Sequence, residues 1–347
     1  MRGMTFGGNR TVEFIEIADP VPGPGDVVIE MKASGICGTD LHLYRGPKGQ
    51  SLLGATSSGP VIRGHEPCGV VAAVGTAVPE HQAKIGDRVM VHHYWGCAAC
   101  RHCRTGWPQM CERQRPVVYG SGAGHGGHAP YMKVPAGTLV PLPDELSFSA
   151  GAAIACGTGT AYAALKRLGV RGGDSIAIFG QGPVGLAATQ LAVAMGARVI
   201  ALDLSQERLK LARDMGAEAT LDSSATDPVG AIQELTGGQG ADLAMDASGA
   251  ADARHAALDS LRPWGTLALV GVGGTFSPNV GRYMQRQQTV FGSFTFSTVG
   301  QADCADFAVS RGVAIDRIFS DTWRLDQADA AYRKADAQVA GKGVFLF

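Results

Sequence analysis

The sequence predicts an α/β protein in which a β-rich domain is followed by a doubly wound parallel sheet of six strands. A length of 347 residues favours two domains over one. Up to about residue 150, short strand-like runs are separated by Gly and Pro, which is typical of a small barrel or sandwich. Beyond that point strand-like and helix-like segments alternate, which is the pattern of a parallel sheet covered by helices.

Composition limits the classes of partner. The net charge of −1 provides no field that would draw the chain to nucleic acid or to an anionic membrane. No apolar run reaches the roughly 18 residues of a spanning helix, and the first residues lack a signal-peptide pattern. We therefore expect a cytoplasmic protein that binds a small molecule, with no nucleic-acid partner and no membrane. In that compartment its eight cysteines are reduced, which favours metal binding over disulfides.

The β-rich part contains three strand candidates. Residues 27–33 show a period of two, which indicates a half-buried strand, and the Pro- and Gly-rich residues 22–26 before it indicate a turn. Residues 69–74 and 88–91 are the other two candidates, and the glycine-dense residues 120–127 are predicted to form a loop.

The second part is predicted to contain six strands and five helices. The strand candidates are 175–179, 198–202, 219–222, 242–246, 266–270 and 289–293. The helix candidates are 158–168, 183–195, 205–215, 228–236 and 252–261. After residue 292 the pattern is mixed, and we expect this tail to return to the first domain. The predicted domains are therefore 1–152 and 153–291, with 292–347 as the returning segment.

The stretch around residue 180 has the dinucleotide-binding pattern. An apolar strand is followed by Gly180-Gln-Gly182-Pro183-Val184-Gly185, a helix, a second strand and Asp203. The first glycine permits the tight turn, the second lets a pyrophosphate approach the backbone, and the third lets the helix lie close to the strand. The helix N-terminus offers free N–H groups and a partial positive charge to the phosphates. An ordinary βαβ crossover is the alternative interpretation.

Asp203 distinguishes the two nicotinamide cofactors. A carboxylate at the end of the second strand accepts hydrogen bonds from the ribose hydroxyls and repels a 2′-phosphate, so NAD is predicted over NADP. Arg208 is the nearest downstream cation and is counted among the cofactor-site candidates, although nothing in the sequence aims it at the ribose.

Four cysteines stand close together in a C-x2-C-x2-C-x7-C pattern, Cys97, Cys100, Cys103 and Cys111. Four thiolates at this spacing can enclose one tetrahedral zinc ion with no open position, so 97–111 is predicted to be a structural-zinc loop. An iron–sulfur cluster is the main rival, but bacterial ferredoxin runs have a shorter last gap and then a proline, whereas Glu112 follows here. Four plain buried thiols and a zinc-finger DNA module are further alternatives, and a single loop on a chain that is not basic disfavours the module.

Further residues of metal-ligand type lie far apart. Cys37, His65 and Glu66 stand in glycine-flanked turns, and Cys156 comes just before the nucleotide-binding part. Taken singly they are weak signals, because a lone cysteine is usually a small core residue. Composition alone does not join them.

Together these motifs resemble those of the zinc-containing alcohol dehydrogenases of the medium-chain dehydrogenase/reductase family. The resemblance covers nearly the whole chain and rests on GICGTDLH (35–42), GHE (64–66), IGDRV (85–89), the four-cysteine loop, GQGPVG (180–185) and Asp203. It implies a GroES-like catalytic domain and a Rossmann NAD-binding domain, with the C-terminal segment rejoining the former. It also implies two zinc ions per chain, NAD as cofactor, and a homodimer or homotetramer.

The resemblance implies a catalytic zinc site. Cys37, His65 and Cys156 resemble its three protein ligands, and Glu66 resembles a carboxylate that approaches the metal in some members. Asp40 resembles a carboxylate behind the site, with Lys342 as its possible partner.

The resemblance also implies roles in proton and hydride transfer. Thr39 resembles the hydroxyl that hydrogen-bonds the substrate oxygen, and His42 resembles the outer end of the relay that carries its proton to solvent. Val184 and Thr160 resemble positions near the nicotinamide. The backbone that holds the carboxamide end is matched by Gly271, Val272 and Gly273. Residues 92–95 precede the four-cysteine loop where relatives line the substrate cleft, and strand packing is the alternative for them.

The implied activity is reversible hydride transfer between a primary or secondary alcohol and NAD, giving an aldehyde or ketone. A polyol, sugar or amino-alcohol substrate on the same scaffold is the main alternative. Cys156 moves the prediction slightly towards simple alcohols, because polyol-type members often carry a glutamate there. A zinc- and NAD-binding protein without turnover is a remote alternative, which the presence of the implied ligands and of Thr39 and His42 disfavours.

Overall fold

The computed structural model describes residues 1–50, 59–337 and 339–347, and it divides into two compact units. The first unit comprises Met1–Gly159, Phe296–Ser310 and Phe319–Phe347, and the second comprises Thr160–Thr295 and Arg311–Ile318. The predicted limits after residues 152 and 291 therefore differ from the observed ones. A continuous helix runs through residue 159, so the sequence shows no break there, and residues 311–318 belong to the second unit instead of the returning segment.

Strands and helices are numbered here in chain order. The strands are β1 (Arg2–Gly8), β2 (Thr11–Glu16), β3 (Asp26–Gly35), β4 (Pro67–Val74), β5 (Arg88–Val91), β6 (Tyr94–Trp95), β7 (Val117–Val118), β8 (Tyr131–Pro135), β9 (Leu139–Pro141), β10 (Ser175–Phe179), β11 (Arg198–Asp203), β12 (Ala219–Asp222), β13 (Ala241–Asp246), β14 (Leu261–Leu269), β15 (Thr289–Gly292), β16 (Phe319–Trp323) and β17 (Lys342–Leu346). The helices are α1 (Gly38–Arg45), α2 (Arg101–Arg104), α3 (Phe148–Ile154), α4 (Gly157–Leu168), α5 (Pro183–Ala194), α6 (Gln206–Asp214), α7 (Pro228–Leu235), α8 (Ala251–Asp259), α9 (Val280–Gln285), α10 (Thr298–Ser310) and α11 (Ala328–Asp336). Within the described ranges, none of these helices has both the length and the apolar composition needed to span a bilayer.

The first unit is built on a seven-stranded sheet. Its order is β16-β17-β3-β4-β5-β9, and β8 also pairs with β3. Val27, Ile29 and Met31 of β3 are buried together with apolar residues of its neighbours, which follows from the period of two. β17, near the end of the chain, runs antiparallel to β3 with Val344 opposite Gly35.

An aromatic cluster packs four elements of the first unit together. Phe6 of β1, Tyr44 of α1, Tyr332 of α11 and Phe345 of β17 are all buried. The Tyr332 ring lies edge-on to Phe6, with centroids 4.9 Å apart, and 5.4 Å from the Tyr44 ring. Aromatic pairs in such arrangements contribute stability beyond the area that they bury.

A buried histidine extends this cluster. The Tyr332 hydroxyl lies 2.8 Å from His128 Nε2, and Ser34 Oγ lies 2.8 Å from His128 Nδ1. Burial lowers the pKa of His128 to about 4. The ring is therefore neutral at pH 7, with one donor and one acceptor nitrogen, and each nitrogen has a hydroxyl partner.

The second unit contains the predicted six-stranded parallel sheet, so the predicted fold class is confirmed. Its order is β12-β11-β10-β13-β14-β15, with the reversal of strand order between β10 and β13. The predicted strand 266–270 begins earlier, at Leu261, because β14 changes register against β13 and carries four residues, 262–265, in an irregular stretch. Pro263 and Gly265 in that stretch favour a turn interpretation, which is why the period-two pattern does not reveal it.

The aromatic cluster provides a stability test at Tyr332. We expect Tyr332→Ala to lower the free energy of unfolding by about 3–5 kcal/mol, as for other buried aromatic truncations. Tyr332→Phe should cost about 1–3 kcal/mol, because it leaves a buried nitrogen of His128 without its partner. Denaturant unfolding measures both. Phe347→Ala is the control and should cost clearly less stability, since 39 % of that residue is exposed. A Tyr332→Ala variant as stable as the unmodified protein would contradict the stabilising role of the aromatic cluster.

Candidate functional site

The carboxylate of Asp40 organises the start of α1. Its Oδ2 accepts a hydrogen bond from the backbone N–H of Cys37 at 2.9 Å, which satisfies a donor at the helix N-terminus. Its Oδ1 lies 3.0 Å from His65 Nδ1, and both side chains are buried. Because Nδ1 is engaged in this way, Nε2 is the nitrogen of His65 that remains available to a metal.

The structure brings the dispersed ligand types together. The ligand atoms of Cys37, His65, Glu66 and Cys156 all lie within 4.8 Å of one another. The two sulfur atoms are 3.9 Å apart. Two thiolates on one tetrahedral zinc ion lie about 3.8 Å apart, given zinc–sulfur bonds of about 2.3 Å. The set therefore fits a zinc ion in both donor chemistry and spacing.

The carboxylate of Glu66 pairs with Lys342, which corrects the predicted pairing of Lys342 with Asp40. Lys342 Nζ lies 2.6 Å from Glu66 Oε2 and donates to the carbonyl oxygen of Ile36 at 2.9 Å. Glu66 Oε1 has no hydrogen-bond partner among the described residues. Burial raises the pKa of Glu66 to about 7, against the opposing effect of Lys342. The correction could not be read from sequence, because it depends on the register of β17 against β3.

The thiols of Cys37 and Cys156 have pKa values that are shifted in opposite directions. The hydrogen bond from Cys156 lowers the pKa of Cys37, and the same bond raises the pKa of Cys156. Burial would lower the pKa of His65, but Asp40 and Cys37 raise it well above its usual value. Cys37 is therefore the group of the set that most readily becomes a thiolate, the form that binds zinc.

Two adjacent histidines lie beside this cluster. His93 is buried, its ring centroid is 5.1 Å from that of His65, and its Nδ1 donates to the carbonyl oxygen of Ala155 at 3.1 Å. Burial and the neighbouring His65 lower the pKa of His93, so its ring is neutral and Nε2 is an acceptor. His92 Nδ1 instead lies 3.2 Å from the side-chain oxygen of Gln301 on α10, which belongs to the same unit.

The candidate relay residues lie on α1. Thr39 is half-buried in its first turn, and His42 is exposed one turn later. Residues three apart lie on the same side of a helix. Gln50 Nε2 lies 3.1 Å from His42 Nε2. This contact joins segments without a shared motif, and sequence analysis missed it.

The four cysteines of the predicted structural-zinc loop also converge. The sulfur atoms of Cys97, Cys100, Cys103 and Cys111 lie within 4.8 Å of one another. The pairs Cys97–Cys103 and Cys100–Cys111 are 3.9 and 4.0 Å apart, near the edge of a zinc tetrahedron. Burial raises the pKa of Cys111, but backbone N–H groups that include that of Cys97 outweigh it and lower the value to about 6. These N–H groups stabilise thiolates, and all eight cysteines of the chain are free of disulfides.

The glycine turn of the second unit joins β10 to α5. Gly180 has φ +92, which disfavours a side chain, and a Cβ at Gly185 would overlap the carbonyl oxygen of Gly180. A Cβ at Gly182 would meet nothing within 4 Å. The fold therefore requires the first and third glycines, whereas the second borders open space at the N-terminus of α5. Pro183 and Val184 form the first turn of that helix.

Asp203 at the end of β11 is held by backbone donors. Its Oδ2 accepts from the N–H of Gln181 at 2.6 Å, and its Oδ1 accepts from those of Leu204 and Ser205 at 2.8 and 2.9 Å. Arg208 Nη1 lies 3.7 Å from Asp203 Oδ2, a contact that the sequence did not reveal. A carboxylate and a cation therefore stand together at the end of this strand.

The remaining cofactor candidates lie in the second unit. Thr160 is half-buried in α4. Gly271, Val272 and Gly273 follow β14, and Val272 is 83 % exposed. Gly271 packs so closely against the backbone of Gly249 that a Cβ there would overlap it.

Two family models match the chain. The model described as the alcohol dehydrogenase GroES-like domain matches residues 23–144, and that described as zinc-binding dehydrogenase matches residues 183–311. The zinc-type alcohol dehydrogenase-like protein YphC of Escherichia coli K12 is 38 % identical over 98 % of this chain and 97 % of its own length. An alcohol dehydrogenase of Geobacillus stearothermophilus is 38 % identical over 76 % of this chain and 75 % of its own. A D-xylulose reductase A of Aspergillus clavatus is 30 % identical over 94 % of this chain and 90 % of its own.

Solved structures give the same result. The alcohol dehydrogenase TADH of Thermus sp. ATN1 superimposes with a TM-score of 0.89 at 31 % identity, covering 100 % of this chain and 99 % of its own. A zinc-binding dehydrogenase of Sinorhizobium meliloti 1021, solved with NADP, has a TM-score of 0.88 at 28 % identity and covers 100 % of this chain and 99 % of its own. The predicted GroES-like and Rossmann architecture is thereby confirmed. The chain is an oxidoreductase and belongs to the zinc-type alcohol dehydrogenases of the medium-chain dehydrogenase/reductase family.

Proposed function

We propose that this chain is an NAD-dependent dehydrogenase that reversibly converts a primary or secondary alcohol into an aldehyde or ketone. One observation carries the proposal: two thiols, an imidazole and a carboxylate converge in the first unit, with ligand atoms within 4.8 Å. The glycine turn and Asp203 of the second unit support NAD as the hydride acceptor. A screen for NAD reduction over primary, secondary, aromatic and polyol alcohols tests it, and no activity with any class contradicts it.

The chain's own residues have distinct tasks in this reaction. Cys37, His65 and Cys156 would hold a zinc ion, which acts when bound as a Lewis acid that lowers the pKa of an alcohol. Asp40 fixes the orientation of His65. Thr39 would accept the hydrogen bond of the substrate hydroxyl, and His42, which is exposed on the same helix, would pass the proton to solvent.

The four-cysteine loop would hold a second zinc ion with a structural role. Its four sulfur ligands leave no position for a substrate. In the other cluster, Cys37, His65 and Cys156 supply three ligands of the kinds that catalytic zinc sites use, and Glu66 lies beside them. Loss of the zinc ion in the four-cysteine loop should therefore lower stability, and loss of the zinc ion at Cys37 should abolish turnover.

We expect elemental analysis to find two zinc ions per chain. Cys103→Ser should remove one zinc ion and lower the melting temperature, because a structural zinc contributes to folding free energy. Cys37→Ser should abolish turnover with a melting temperature close to that of the unmodified protein. Cys304→Ala is the control, since this buried thiol lies outside both clusters, and it should keep both ions. One zinc ion in the unmodified protein, or iron with sulfide, would contradict the assignment.

The choice of cofactor gives a second test, at Asp203 and Arg208. We expect the unmodified protein to prefer NAD by at least about a hundredfold in kcat/KM, equivalent to roughly 2.7 kcal/mol. Asp203→Ala should reduce that preference by tenfold or more, because it removes the carboxylate that repels a 2′-phosphate and keeps the positive charge of Arg208 nearby. The double variant Asp203→Ala/Arg208→Met should lose the gain with NADP. Steady-state kinetics with NAD and with NADP measure this preference. Equal kcat/KM with the two cofactors in the unmodified protein would contradict the NAD assignment.

A polyol or sugar alcohol is the second candidate substrate, and His93 favours it. A neutral imidazole next to His65 offers an acceptor nitrogen where an apolar ring would offer none. A second hydroxyl on the substrate would donate to that nitrogen. A site that hydrogen-bonds a substrate hydroxyl discriminates strongly against analogues without it.

Substitution of His93 separates the two candidates. If a polyol is the substrate, His93→Phe should lower the ratio of kcat/KM for polyols to that for simple alcohols by at least about tenfold. His93→Gln, which keeps an acceptor, should retain more of the ratio. An unchanged ratio in His93→Phe would assign His93 to packing and leave simple alcohols as the better candidate.

A further inference from the structure

A buried ion pair in the second unit has no part in the mechanism above. Asp246 ends β13 and is fully buried, and Arg254 on α8 is 7 % exposed. Arg254 Nε donates to Asp246 Oδ2 at 2.9 Å, and its Nη2 donates to the carbonyl oxygen of Gly271 at 2.6 Å. One guanidinium therefore joins the end of β13 to the segment that follows β14.

The same carboxylate also fixes the loop that follows β13. Asp246 Oδ1 accepts from the N–H groups of Ser248 and Gly249 at 2.9 and 3.0 Å. The backbone oxygen of Asp246 accepts from the N–H of Gly271 at 2.9 Å. Ser248 in turn packs against Gly180, where an added Cβ would meet its Cβ at 2.9 Å. The clamped segments thus adjoin the glycine turn.

These segments expose backbone and few side chains. Gly249, Gly273 and Gly274 have φ of +75, +103 and +58. A Cβ at Gly273 would meet nothing within 4 Å. A surface of this kind lets a ligand hydrogen-bond directly to main-chain N–H and C=O groups, provided that the backbone is held in place.

The order of the strands indicates which ligand group lies there. A dinucleotide spans the point where the strand order of an open parallel sheet reverses, which here lies between β10 and β13. Asp203 marks the β11 side as the adenosine side. The other half of the dinucleotide then lies over the carboxyl ends of β13 and β14, where Asp246 and residues 270–274 stand.

We propose that Arg254, anchored by Asp246, is a positioning residue that holds the backbone of residues 270–274 for the nicotinamide half of the cofactor. This inference rests on the proposed NAD dependence. The bidentate use of the guanidinium is essential, because Nε and Nη2 serve two different segments. A lysine at this position keeps the charge beside Asp246 but has a single nitrogen and cannot span both acceptors.

Arg254→Lys tests the proposal by direct binding. ADP-ribose is the cofactor without its nicotinamide, so calorimetry with NAD and with ADP-ribose separates the two halves. We expect Arg254→Lys to weaken NAD by about tenfold or more and to leave ADP-ribose within about twofold. An unchanged ratio of the two dissociation constants, or an equal loss for both ligands, overturns the proposal.

Arg262 supplies a matched control. Its Nε donates to Asp242 Oδ1 at 2.6 Å and its Nη1 to the carbonyl oxygen of the adjacent Pro263 at 2.9 Å, so it too pairs with an aspartate of β13 but does not reach the segment after β14. Asp242 lies at the opposite end of β13 from Asp246. Arg262→Lys should therefore leave both dissociation constants unchanged, and a loss of NAD affinity equal to that of Arg254→Lys counts against the proposal.

Hydrogen exchange on the unmodified protein gives a test that needs no variant. NAD should slow exchange of the amides in residues 270–274, and ADP-ribose should not. Equal protection by both ligands overturns the positioning role even if Arg254→Lys fails to fold. If the unmodified protein binds both NAD and ADP-ribose but Arg254→Lys does not change the ratio of their dissociation constants, the positioning role of Arg254 fails and the proposed NAD dependence stands. If it binds neither, the proposed NAD dependence fails with it.

Discussion

Negative charge buried in the first unit is the constraint on which its architecture depends. Cys37, Asp40 and Glu66 crowd one buried region, and an uncompensated ion there costs several kcal/mol. Lys342 compensates Glu66 at 2.6 Å, and it reaches that point only because β17 pairs with β3. The return of the C-terminal segment to the first unit therefore brings in the cation that compensates the buried Glu66.

The second unit meets a different constraint, because its glycine turn brings backbone close to backbone and leaves one of its glycines beside open space. Gly180 and Gly185 are required by close packing, whereas Gly182 is required only if something outside the chain approaches it. Sequence patterns treat the three glycines alike. The structure distinguishes them, because packing within the fold explains Gly180 and Gly185 but does not explain Gly182.

Local patterns predicted much of the fold, and long-range register explains what they missed. The strands at 175–179 and 219–222 and the helix beginning at 183 follow from periodicity and glycine placement, which are properties of neighbouring residues. The four-cysteine cluster was predictable for the same reason. The pairing of Lys342 with Glu66 was not, because it depends on which residue of β17 faces β3. The dispersed ligand set could be joined only through the family resemblance.

Three aspartates share one structural task, and that task explains the residue type. Asp40, Asp203 and Asp246 each use one oxygen for a backbone N–H close in sequence and the other for a group from a different segment. An asparagine has a single acceptor oxygen, so it cannot link two segments through two donors in this way. The role at these positions therefore needs a side chain with two acceptor oxygens, which a carboxylate provides. At the two fully buried positions, Asp40 and Asp246, the second oxygen meets an N–H group from another segment, the ring nitrogen of His65 and the guanidinium of Arg254.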